Sequence, residues 1–276
     1  MTNTRIMGIL NVTPDSFSDG GRNADLEQAV KHALSLLEQG AEIIDIGGES
    51  TRPGAATIPV KEEIRRTVPV IAALREATQD YHSSPIISID TRKPDVAQAA
   101  VLAGADIWND VSALTYDARS EAVAAELSCP VIIMHAQGSP ETMQYNPHYG
   151  NPAAEVKDYL AKRLDALEFA GVERENITLD PGIGFGKRLE DNLAIFNKLN
   201  EFKALGCPLL MGASRKSFIG HIDGSTPGRR LAGSLAAALW SVQNGADILR
   251  VHDVAETVQA VRVWEAISDY DREILT

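Results

Sequence analysis

Residues 6–47 have the sequence IMGILNVTPDSFSDGGRNADLEQAVKHALSLLEQGAEIIDIG, which contains one complete strand–helix–strand unit. Ile6–Val12 and Glu42–Gly47 are short runs with apolar, often β-branched residues on both faces, a pattern typical of buried parallel strands. Between them, apolar residues recur at helical spacing at Leu26, Val30, Leu34 and Leu37. Gly40 then ends the helix, because glycine is favoured just past a helix terminus. The stretch therefore predicts a helix that connects two parallel strands.

The same alternation of short apolar runs and amphipathic stretches continues to the end of the chain. Six further strands are predicted at Ile86–Asp90, Asp106–Asp110, Val131–His135, Ile177–Asp180, Leu209–Gly212 and Ile248–His252. Eight strands that alternate with eight helices, without a linker, predict an α/β protein with a single (β/α)8 TIM barrel over residues 1–276. A doubly wound open sheet is the alternative. The turn Thr13-Pro14-Asp15-Ser16 after the first strand, however, lacks the GxGxxG fingerprint of such folds.

The composition excludes several classes of protein. The 276 residues include 26 Lys and Arg against 38 Asp and Glu, which gives a formal net charge of −12. Such an acidic chain is not expected to bind nucleic acid, because counterion release needs clustered cations. With 44% hydrophobic residues and no long polar tract, the chain is expected to fold. No apolar run approaches the ~18 residues of a membrane span, and no signal-type segment is found, so we expect a cytoplasmic protein without a membrane partner.

Polar residues fall at or just past the carboxyl ends of the predicted strands. They are Asn11, Asp45, Asp90, Asn109, His135, Asp180, Ser214 and His252. Any one of them is explained equally well as the cap of the following helix. In a barrel, however, these strand ends converge on one rim, where barrel enzymes place their active sites. Because burial of so many polar groups without ligands or partners is unfavourable, the set predicts an active site at this rim.

The glycine-rich segment 180–187, DPGIGFGK, is not a Walker A phosphate loop. Arg188 stands where that motif has Ser or Thr, and the upstream glycine spacing differs. We expect the glycines to let the backbone approach a flat ligand closely, with Asp180 at the edge of that ligand. An ordinary flexible turn is the alternative interpretation.

Residues 212–217, GASRKS, follow the seventh strand, at the position where this fold favours a phosphate site. Two hydroxyls and two cations there suit a multiply charged oxyanion, which helix N-terminal amides would also bind. Arg250 and His252 arrive from the eighth strand at the same region. For Arg215 a solvated position is favoured, because long basic side chains commonly lie along surfaces.

Two βα loops, Thr13–Arg22 and Gly47–Ala56, exceed the usual two to six residues of such loops. The first contains Phe17 and Asp19 among glycines, and the second contains Arg52. Glycines permit movement, and the exposed aromatic and basic side chains could grip a substrate. We therefore expect both loops to act as lids over the site.

A metal cage built by the protein is not expected. The six histidines form no metal-binding motif, and Cys129 and Cys207 lack zinc-type spacing and are expected to be buried, reduced thiols. A metal ion at this site would be Mg²⁺ carried mainly by ligand phosphates. One or two protein oxygens, such as the amide of Asn11, would complete its ligands.

Seven segments of the chain resemble the dihydropteroate synthase family of folate biosynthesis. They are MGILNVTPDSFSDGG (Met7–Gly21), DIGGESTRPGA (Asp45–Ala55), SIDT (Ser88–Thr91), NDVSA (Asn109–Ala113), DPGIGFGK (Asp180–Lys187), SRKSFIG (Ser214–Gly220) and RVHDV (Arg250–Val254). The first two and SRKSFIG are highly specific. Because the matches extend from the first strand to the eighth, the resemblance covers essentially the whole chain.

The resemblance implies a (β/α)8 barrel that condenses 6-hydroxymethyl-7,8-dihydropterin diphosphate with p-aminobenzoate to give 7,8-dihydropteroate and diphosphate. It implies Mg²⁺ as cofactor, and an SN1-like substitution at the pterin methylene, which would explain why no strong general base is visible. It also implies a transferase that forms a homodimer and is a target of sulfonamides. A methyltetrahydrofolate-dependent methyltransferase and a non-catalytic pterin-binding paralogue are the alternatives.

The site residues of the family carry over to matching positions of this sequence. The pterin would be bound by Asp90, Asn109, Met134, Asp180, Lys216 and Arg250. The p-aminobenzoate site would be built by Phe17, Thr51, Arg52, Pro53 and Ser217. The diphosphate would be bound by Asn11, Arg250 and His252, with Asn11 also at the metal. The catalytic residues would be Asp19, Arg52, Lys216 and Arg250.

The chain departs from the family pattern near the fifth strand and at its start. His135-Ala136-Gln137-Gly138 replaces His-Met-Gln-Gly, and Tyr149-Gly150-Asn151 replaces an acidic Asp-Val element. The first strand also begins almost at once, without the N-terminal hairpin of many members. Elsewhere, the stretch Leu231–Val242 is rich in small apolar residues, which indicates either close packing within the chain or a subunit interface.

Overall fold

Eight strands follow one another along the chain at nearly the predicted positions. The computed structural model describes residues 4–13, 21–50, 54–81, 84–138, 142–143 and 145–274, with the backbone alone described for 21–24 and 269–274. The strands are β1 (Arg5–Asn11), β2 (Ile43–Gly47), β3 (Ile86–Asp90), β4 (Ile107–Asp110), β5 (Val131–Met134), β6 (Ile177–Asp180), β7 (Leu210–Met211) and β8 (Ile248–Val251). Each observed strand agrees with its predicted bounds to within one residue at either end.

The strands form one parallel sheet that closes on itself. Its order is β6-β5-β4-β3-β2-β1-β8-β7, so strands that are consecutive in the chain are neighbours in space. A parallel bridge between Leu179 and Leu209 joins β6 to the start of β7. The Leu179 N–H donates there to the carbonyl of Pro208 at 2.9 Å. The predicted (β/α)8 barrel is confirmed, and the doubly wound open sheet, which would leave two free edges, is wrong.

The helices surround this sheet, with one departure from the predicted alternation. In the described residues they are α1 (Gly21–Glu38), α2 (Val60–Ala77), α3 (Pro94–Leu102), α4 (Ser120–Leu127), α5 (Pro152–Ala170), α6 (Leu189–Asn197), α7 (Ser217–Asp223), α8 (Leu231–Gln243) and α9 (Val254–Ile274). The prediction of one helix after each strand is wrong after β7, where α7 and α8 both follow. Gly224, with φ +75°, ends α7, and Pro227 begins a short 3₁₀ turn before α8.

The barrel interior is apolar at its base and polar at its mouth. Alternate residues of a strand face opposite sides, so Ile44 and Ile46 of β2 pack in the large core beneath the helices. A separate inner cluster is formed by Met7, Ile43, Ile107, Ile132, Leu210 and Ile248. On β2 the next inward position after Ile43 is Asp45. The change from apolar to polar along the same inward row places the chemistry at the carboxyl ends of the strands.

Two further expectations concern the cysteines and the membrane. Cys129 and Cys207 are both buried and free, as the sequence predicts. Burial raises the pKa of both thiols, which keeps them protonated and unreactive. Over the part of the chain that is described, no helix combines the length and the apolar character required to cross a lipid bilayer.

The segment after β6 is packed against the segment after β5. A Cβ added to Gly182 (φ +69°) would lie 1.9 Å from the carbonyl oxygen of His135, and one added to Gly186 (φ +61°) would lie 2.4 Å from that of Gln137. The buried Lys187 ammonium donates to Gly182 at 2.8 Å and contacts His135 Nδ1 at 2.9 Å. These glycines were expected to approach a ligand. Gly182 and Gly186 lie against the neighbouring backbone, so the two segments form one close-packed edge of the mouth, and the approach to a ligand stays a prediction.

Replacement of Gly182 by alanine tests this packing against a matched glycine. Gly206 has a similar φ of +76°, but a Cβ added there would meet no described atom within 4 Å. Gly206→Ala should therefore lower the free energy of unfolding only by the left-handed strain, about 1–2 kcal/mol. Gly182→Ala should lower the free energy of unfolding by about 1–3 kcal/mol more, because its methyl group would be forced against the His135 carbonyl. Urea unfolding of both variants measures the difference, and equal losses would contradict the close contact.

Candidate active site

Arg250 lies at the centre of a buried ionic cluster in the barrel mouth. From β8, its Nε donates to Oδ2 of Asp45 on β2 at 2.6 Å, and its Nη2 donates to Oδ2 of Asp90 on β3 at 2.7 Å. Asn109 on β4 adds its amide nitrogen 3.2 Å from the same Asp45 oxygen. We call these four residues the Arg250 cluster. They connect four strands and bring three of the predicted pterin-binding residues together.

Burial and charge act against each other in the Arg250 cluster. Burial raises the pKa of Asp90, and the adjacent guanidinium offsets part of that rise. For Arg250 itself, burial acts to lower the pKa, but the two carboxylates raise it further, so the guanidinium stays charged. Two carboxylates therefore share one cation, and the surplus of acceptor oxygens suits a ligand that brings N–H donors.

A second group, Asp180 and Lys216, converges on the same place from β6 and from the start of α7. A Cβ added to Gly212 would lie 3.8 Å from Lys216 Nζ, 3.9 Å from Arg250 Cβ and 3.9 Å from Asp180 Oδ2. One point above Gly212 is thus within reach of three predicted site residues. Because Gly212 has no side chain, these three groups can approach one another above its backbone.

Burial shifts the protonation of this second group towards the neutral forms. It raises the pKa of Asp180, against the opposing charge of Lys216, and lowers the pKa of Lys216 to about 8, against the opposing charge of Asp180. Asp180 Oδ1 accepts the N–H of Gly182 at 2.7 Å. The Lys216 ammonium donates to the carbonyl of Ile183 and lies 4.7 Å from the centre of the Phe185 ring. Lys216 is therefore held beside the site by contacts that a ligand could replace.

The remaining predicted residues in the described part of the chain lie on the same rim. Met134 is buried at the end of β5, in register with Asp180. Asn11 is exposed at the end of β1. His252, just past β8, has Nδ1 3.1 Å from the Ser214 hydroxyl. Ser217 is the exposed first residue of α7.

His135 is the strand-end residue that does not join the site. Its ring packs edge-on against Tyr159 of α5, with the ring centres 4.9 Å apart, and contacts the Lys187 ammonium. Burial, followed by the charge of Lys187, lowers the pKa of His135 to about 3, so the ring is neutral. It belongs to the packing between the segments after β5 and β6. The expectation that all eight strand-end residues face one site is wrong at this position.

Five predicted residues lie outside the described part of the chain. They are Phe17, Asp19, Thr51, Arg52 and Pro53. Conversely, sequence reasoning placed Asp45 at the rim without a specific binding role and gave Phe185 no role. Asp45 is fully buried and pairs with both Arg250 and Asn109, and Phe185 lies against Lys216. A signal for Asp45 was present, since an acidic residue interrupts an otherwise apolar strand.

Asn11 is the candidate protein ligand for Mg²⁺ at the rim. Within the described ranges, no group of three or more His, Cys, Asp or Glu side chains is placed to hold a metal ion. Asn11 offers one exposed amide oxygen at the rim, a ligand type that Mg²⁺ accepts. Mg²⁺ commonly keeps its waters and binds through substrate phosphates. The Asn11 amide therefore fits as one protein ligand of an ion whose other ligands are phosphate oxygens and waters.

Comparisons with known proteins agree with this geometry. The profile of the family described as pterin binding enzyme matches residues 7–252. The dihydropteroate synthase of Escherichia coli (strain K12) is 48% identical over 266 residues, which are 96% of this chain and 92% of the relative. A Yersinia pestis dihydropteroate synthase solved with a sulfonamide drug complex has a TM-score of 0.90 at 41% identity, over 97% of this chain and 95% of that one.

A Xanthomonas albilineans dihydropteroate synthase solved with 4-aminobenzoic acid has a TM-score of 0.89 at 47% identity. The aligned part covers 96% of this chain and 93% of that chain. Both the family profile and the relatives thus extend over nearly the whole barrel, including every strand end described above. The chain belongs to the pterin-binding enzyme family and, within it, to the dihydropteroate synthases, which are transferases of folate biosynthesis.

Proposed function

We propose that the barrel mouth joins 6-hydroxymethyl-7,8-dihydropterin diphosphate to p-aminobenzoate, with 7,8-dihydropteroate and diphosphate as products. One observation carries the proposal. The Arg250 cluster and the Asp180–Lys216 pair meet around Gly212, where a flat heterocycle with N–H donors and an anionic tail would contact both carboxylates and cations. Neither a methyltransferase nor a pterin-binding paralogue without turnover requires a diphosphate site beside this pair.

The pterin ring is recognised by acceptors and donors at its edge. A pterin presents adjacent N–H donors along one edge, for which a carboxylate such as Asp180 is a natural acceptor. Asn109 and Asp90 extend this edge, Lys216 donates to the ring, and Met134 packs against its face. Arg250 stacks on the other face of the ring. The Arg250 cluster supports the roles of Asn109, Asp90 and Arg250, because hydrogen bonds through Asp45 and Arg250 hold these side chains together at the mouth.

The substitution begins with cleavage of the C–O bond between the pterin methylene and the diphosphate. The leaving group departs with the electron pair, and the electron-rich dihydropterin delocalises the positive charge that remains on the methylene. The amine nitrogen of p-aminobenzoate then attacks this carbon and loses one proton. Because the leaving group takes most of the developing negative charge, cations near it lower the barrier, and a strong general base is not needed.

The leaving diphosphate is held by Asn11, Arg250 and His252. Arg250 and His252 arrive together from β8, and His252 is supported by Ser214 after β7, at the usual phosphate position of this fold. Bound Mg²⁺ would neutralise part of the diphosphate charge and so favour its departure. Asn11 is the protein ligand that we assign to it, in line with the fit found above.

The second substrate meets residues of the two long loops. We assign Phe17, Thr51, Arg52, Pro53 and Ser217 to p-aminobenzoate, and Asp19 to the closed form of the first loop. The Xanthomonas albilineans relative was solved with 4-aminobenzoic acid, and the Yersinia pestis relative with a sulfonamide drug complex. The same pocket should therefore accept sulfonamides. Closure of both loops would exclude water from the cationic methylene.

A homodimer is part of the proposal, through the face made by α6, α7 and α8. A cavity of about 450 Å³ there is lined mainly by apolar side chains, including Phe218, Ile222 and Trp240. Ile222 and Trp240 remain 60% and 46% exposed. The small residue Gly233 of α8 packs within the chain, where its added Cβ would lie 2.4 Å from Ile219. The rest of this apolar helix face is uncovered, as expected for a surface that a second copy buries.

The cytoplasmic location and the lack of a nucleic-acid partner stay predictions from the composition. The net charge of −12 supports the second of them.

Release of diphosphate is the direct test of the activity. Diphosphate should be released from the pterin substrate only when p-aminobenzoate and Mg²⁺ are both present, at a rate that equals formation of dihydropteroate. A sulfonamide should compete with p-aminobenzoate and leave pterin binding intact. If calorimetry shows pterin binding while no diphosphate is released under any of these conditions, the chain is a binding protein and the proposal fails.

Lys216 provides a test of the pterin site. Lys216→Met should weaken pterin binding roughly 10- to 150-fold, because hydrogen bonds from charged groups contribute about 1.5–3 kcal/mol. Since burial lowers the pKa of Lys216 to about 8, the affinity of the unmodified protein should fall as the pH rises through that value and the ammonium loses its proton. Calorimetry from pH 6 to 10 should show this fall in affinity for the unmodified protein and an affinity without it for Lys216→Met.

The control for this prediction is Lys198→Met, which removes an exposed lysine whose Nζ lies 2.9 Å from Glu201 on the surface. Its pterin affinity and pH profile should match those of the unmodified protein. An unchanged affinity in Lys216→Met would remove Lys216 from the site.

The homodimer is tested by one charge placed on its proposed face. Ile222→Glu should convert the dimer to a monomer, since the carboxylate would be buried without a partner. Ile267→Glu on α9 is the matched control, because that isoleucine is 71% exposed and does not line the cavity. Size-exclusion chromatography with light scattering measures the mass. A monomeric unmodified protein at micromolar concentration would rule the interface out.

A further inference from the structure

A group of buried charges lies between the β2–α2 loop, helix α2 and the start of α3. The Lys93 ammonium is 2.7 Å from Oε2 of Glu49 and also donates to Glu63. Arg92 Nε donates to the other Glu49 oxygen at 3.0 Å. Glu49, Glu63 and Lys93 are 9%, 1% and 3% exposed, so these contacts are shielded from water. We call the four residues the Lys93 cluster; its two carboxylates balance its two cations.

Glu49 also closes the β2–α2 loop on itself. Its Oε2 accepts the backbone N–H of Ile58, nine residues further along the chain, at 2.8 Å. Arg92 contacts the same end of the loop, where its Nη2 donates to the Thr57 hydroxyl at 2.9 Å. Burial would raise the pKa of Glu49, but hydrogen bonds from Lys93 and Ile58 lower it below its usual value. One ionised carboxylate therefore joins both ends of the loop.

Lys93 connects this closed loop to helix α2. Glu63, its second partner, is a buried residue of the first turns of α2. The start of the loop also packs on this helix, because a Cβ added to Gly48 would lie 2.8 Å from Thr67. The Gly48 carbonyl accepts from Arg66 at 3.0 Å. The base of the loop is thus fixed on two sides, and the Lys93 ammonium is the group that holds Glu49 and Glu63 together.

We propose that Lys93 is a positioning residue, which holds the base of the β2–α2 loop through Glu49 and so sets where that loop meets the aromatic amine substrate. The inference rests on the proposed function, which assigns Thr51, Arg52 and Pro53 of this loop to p-aminobenzoate. Lys93 contacts no reacting atom and acts through Glu49. The pterin is held by other residues around Gly212, so its affinity does not depend on Lys93.

The variants separate positioning from stability. Lys93→Met alone leaves two buried carboxylates beside each other and is expected to lower stability strongly. The paired variant Glu63→Leu with Lys93→Met removes one charge of each sign. It keeps the local net charge near Asp90 and replaces a buried ion pair with apolar side chains, which is often neutral for stability. Lys93→Arg is the conservative variant, and Lys198→Met on the surface is the control.

Two measurements are made on each variant. Hydrogen exchange of the Ile58 amide reports directly on the bond to Glu49 and needs no substrate. Steady-state kinetics give kcat/KM for p-aminobenzoate, and calorimetry gives the pterin affinity. In the paired variant we expect near-normal thermal stability, faster Ile58 exchange and a loss of roughly 10- to 100-fold in kcat/KM for p-aminobenzoate, with pterin affinity unchanged. Lys93→Arg should restore most of both properties.

Three results would overturn the inference. The first is normal Ile58 exchange in the paired variant. The second is a normal kcat/KM for p-aminobenzoate in the paired variant once its stability is near normal. The third is an equal loss of pterin and p-aminobenzoate binding. Failure of the proposed function is distinguishable from these, because the unmodified protein would then release no diphosphate. In that case Ile58 exchange in the paired variant and its control still decides whether Lys93 fixes the loop.

Discussion

The ion pairs of Arg250 with Asp45 and Asp90 are the constraint on which the rest of the site depends. A guanidinium inside a barrel is tolerated only when carboxylates neutralise it, and here they come from two strands, β2 and β3. The pairing therefore joins three strands at the mouth, while the apolar inner cluster fills the base. The opposite charges of these side chains also stabilise one another at the mouth.

Two buried lysines, Lys187 and Lys93, stabilise the loops in a similar way, although their acceptors differ. Lys187 is surrounded mainly by neutral groups, including the Gly182 and Phe185 carbonyls. Burial lowers its pKa to about 7. Lys93 lies between the carboxylates of Glu49 and Glu63. The first lysine joins the segments after β5 and β6 into a rigid edge, and the second fixes the base of the β2–α2 loop. Each lysine thus fixes the backbone at the base of a βα connection.

Sequence reasoning predicted the strands well, because a strand buried on both faces is a local pattern. It missed the break between α7 and α8, and it wrongly placed His135 in the site. Both features depend on neighbours that are distant in sequence. Helix α1 shows the same limit. Its predicted apolar face contains Leu34 and Leu37, yet the fully buried positions are Ala29, Ala33 and Leu36. Small residues allow close packing, which a hydrophobicity pattern does not reveal. The strand-end pattern placed Asp45 at the rim, but its pairing with Arg250 and Asn109 is visible only in the structure.

The hydrogen bonds within the site determine which atoms remain to bind a pterin. The Asn109 amide nitrogen is committed to Asp45, so its carbonyl oxygen is the atom that can accept from a ligand. One Asp180 oxygen is committed to the Gly182 N–H, which leaves the oxygen that faces Gly212. Asp90 is committed to Arg250 and can contribute its second oxygen. Under the proposed function, three acceptors from three strands would meet the N–H-rich edge of the pterin, and a ligand without that edge would leave them unpaired in a buried site. Discrimination would then arise from the penalty on wrong ligands as much as from attraction of the right one.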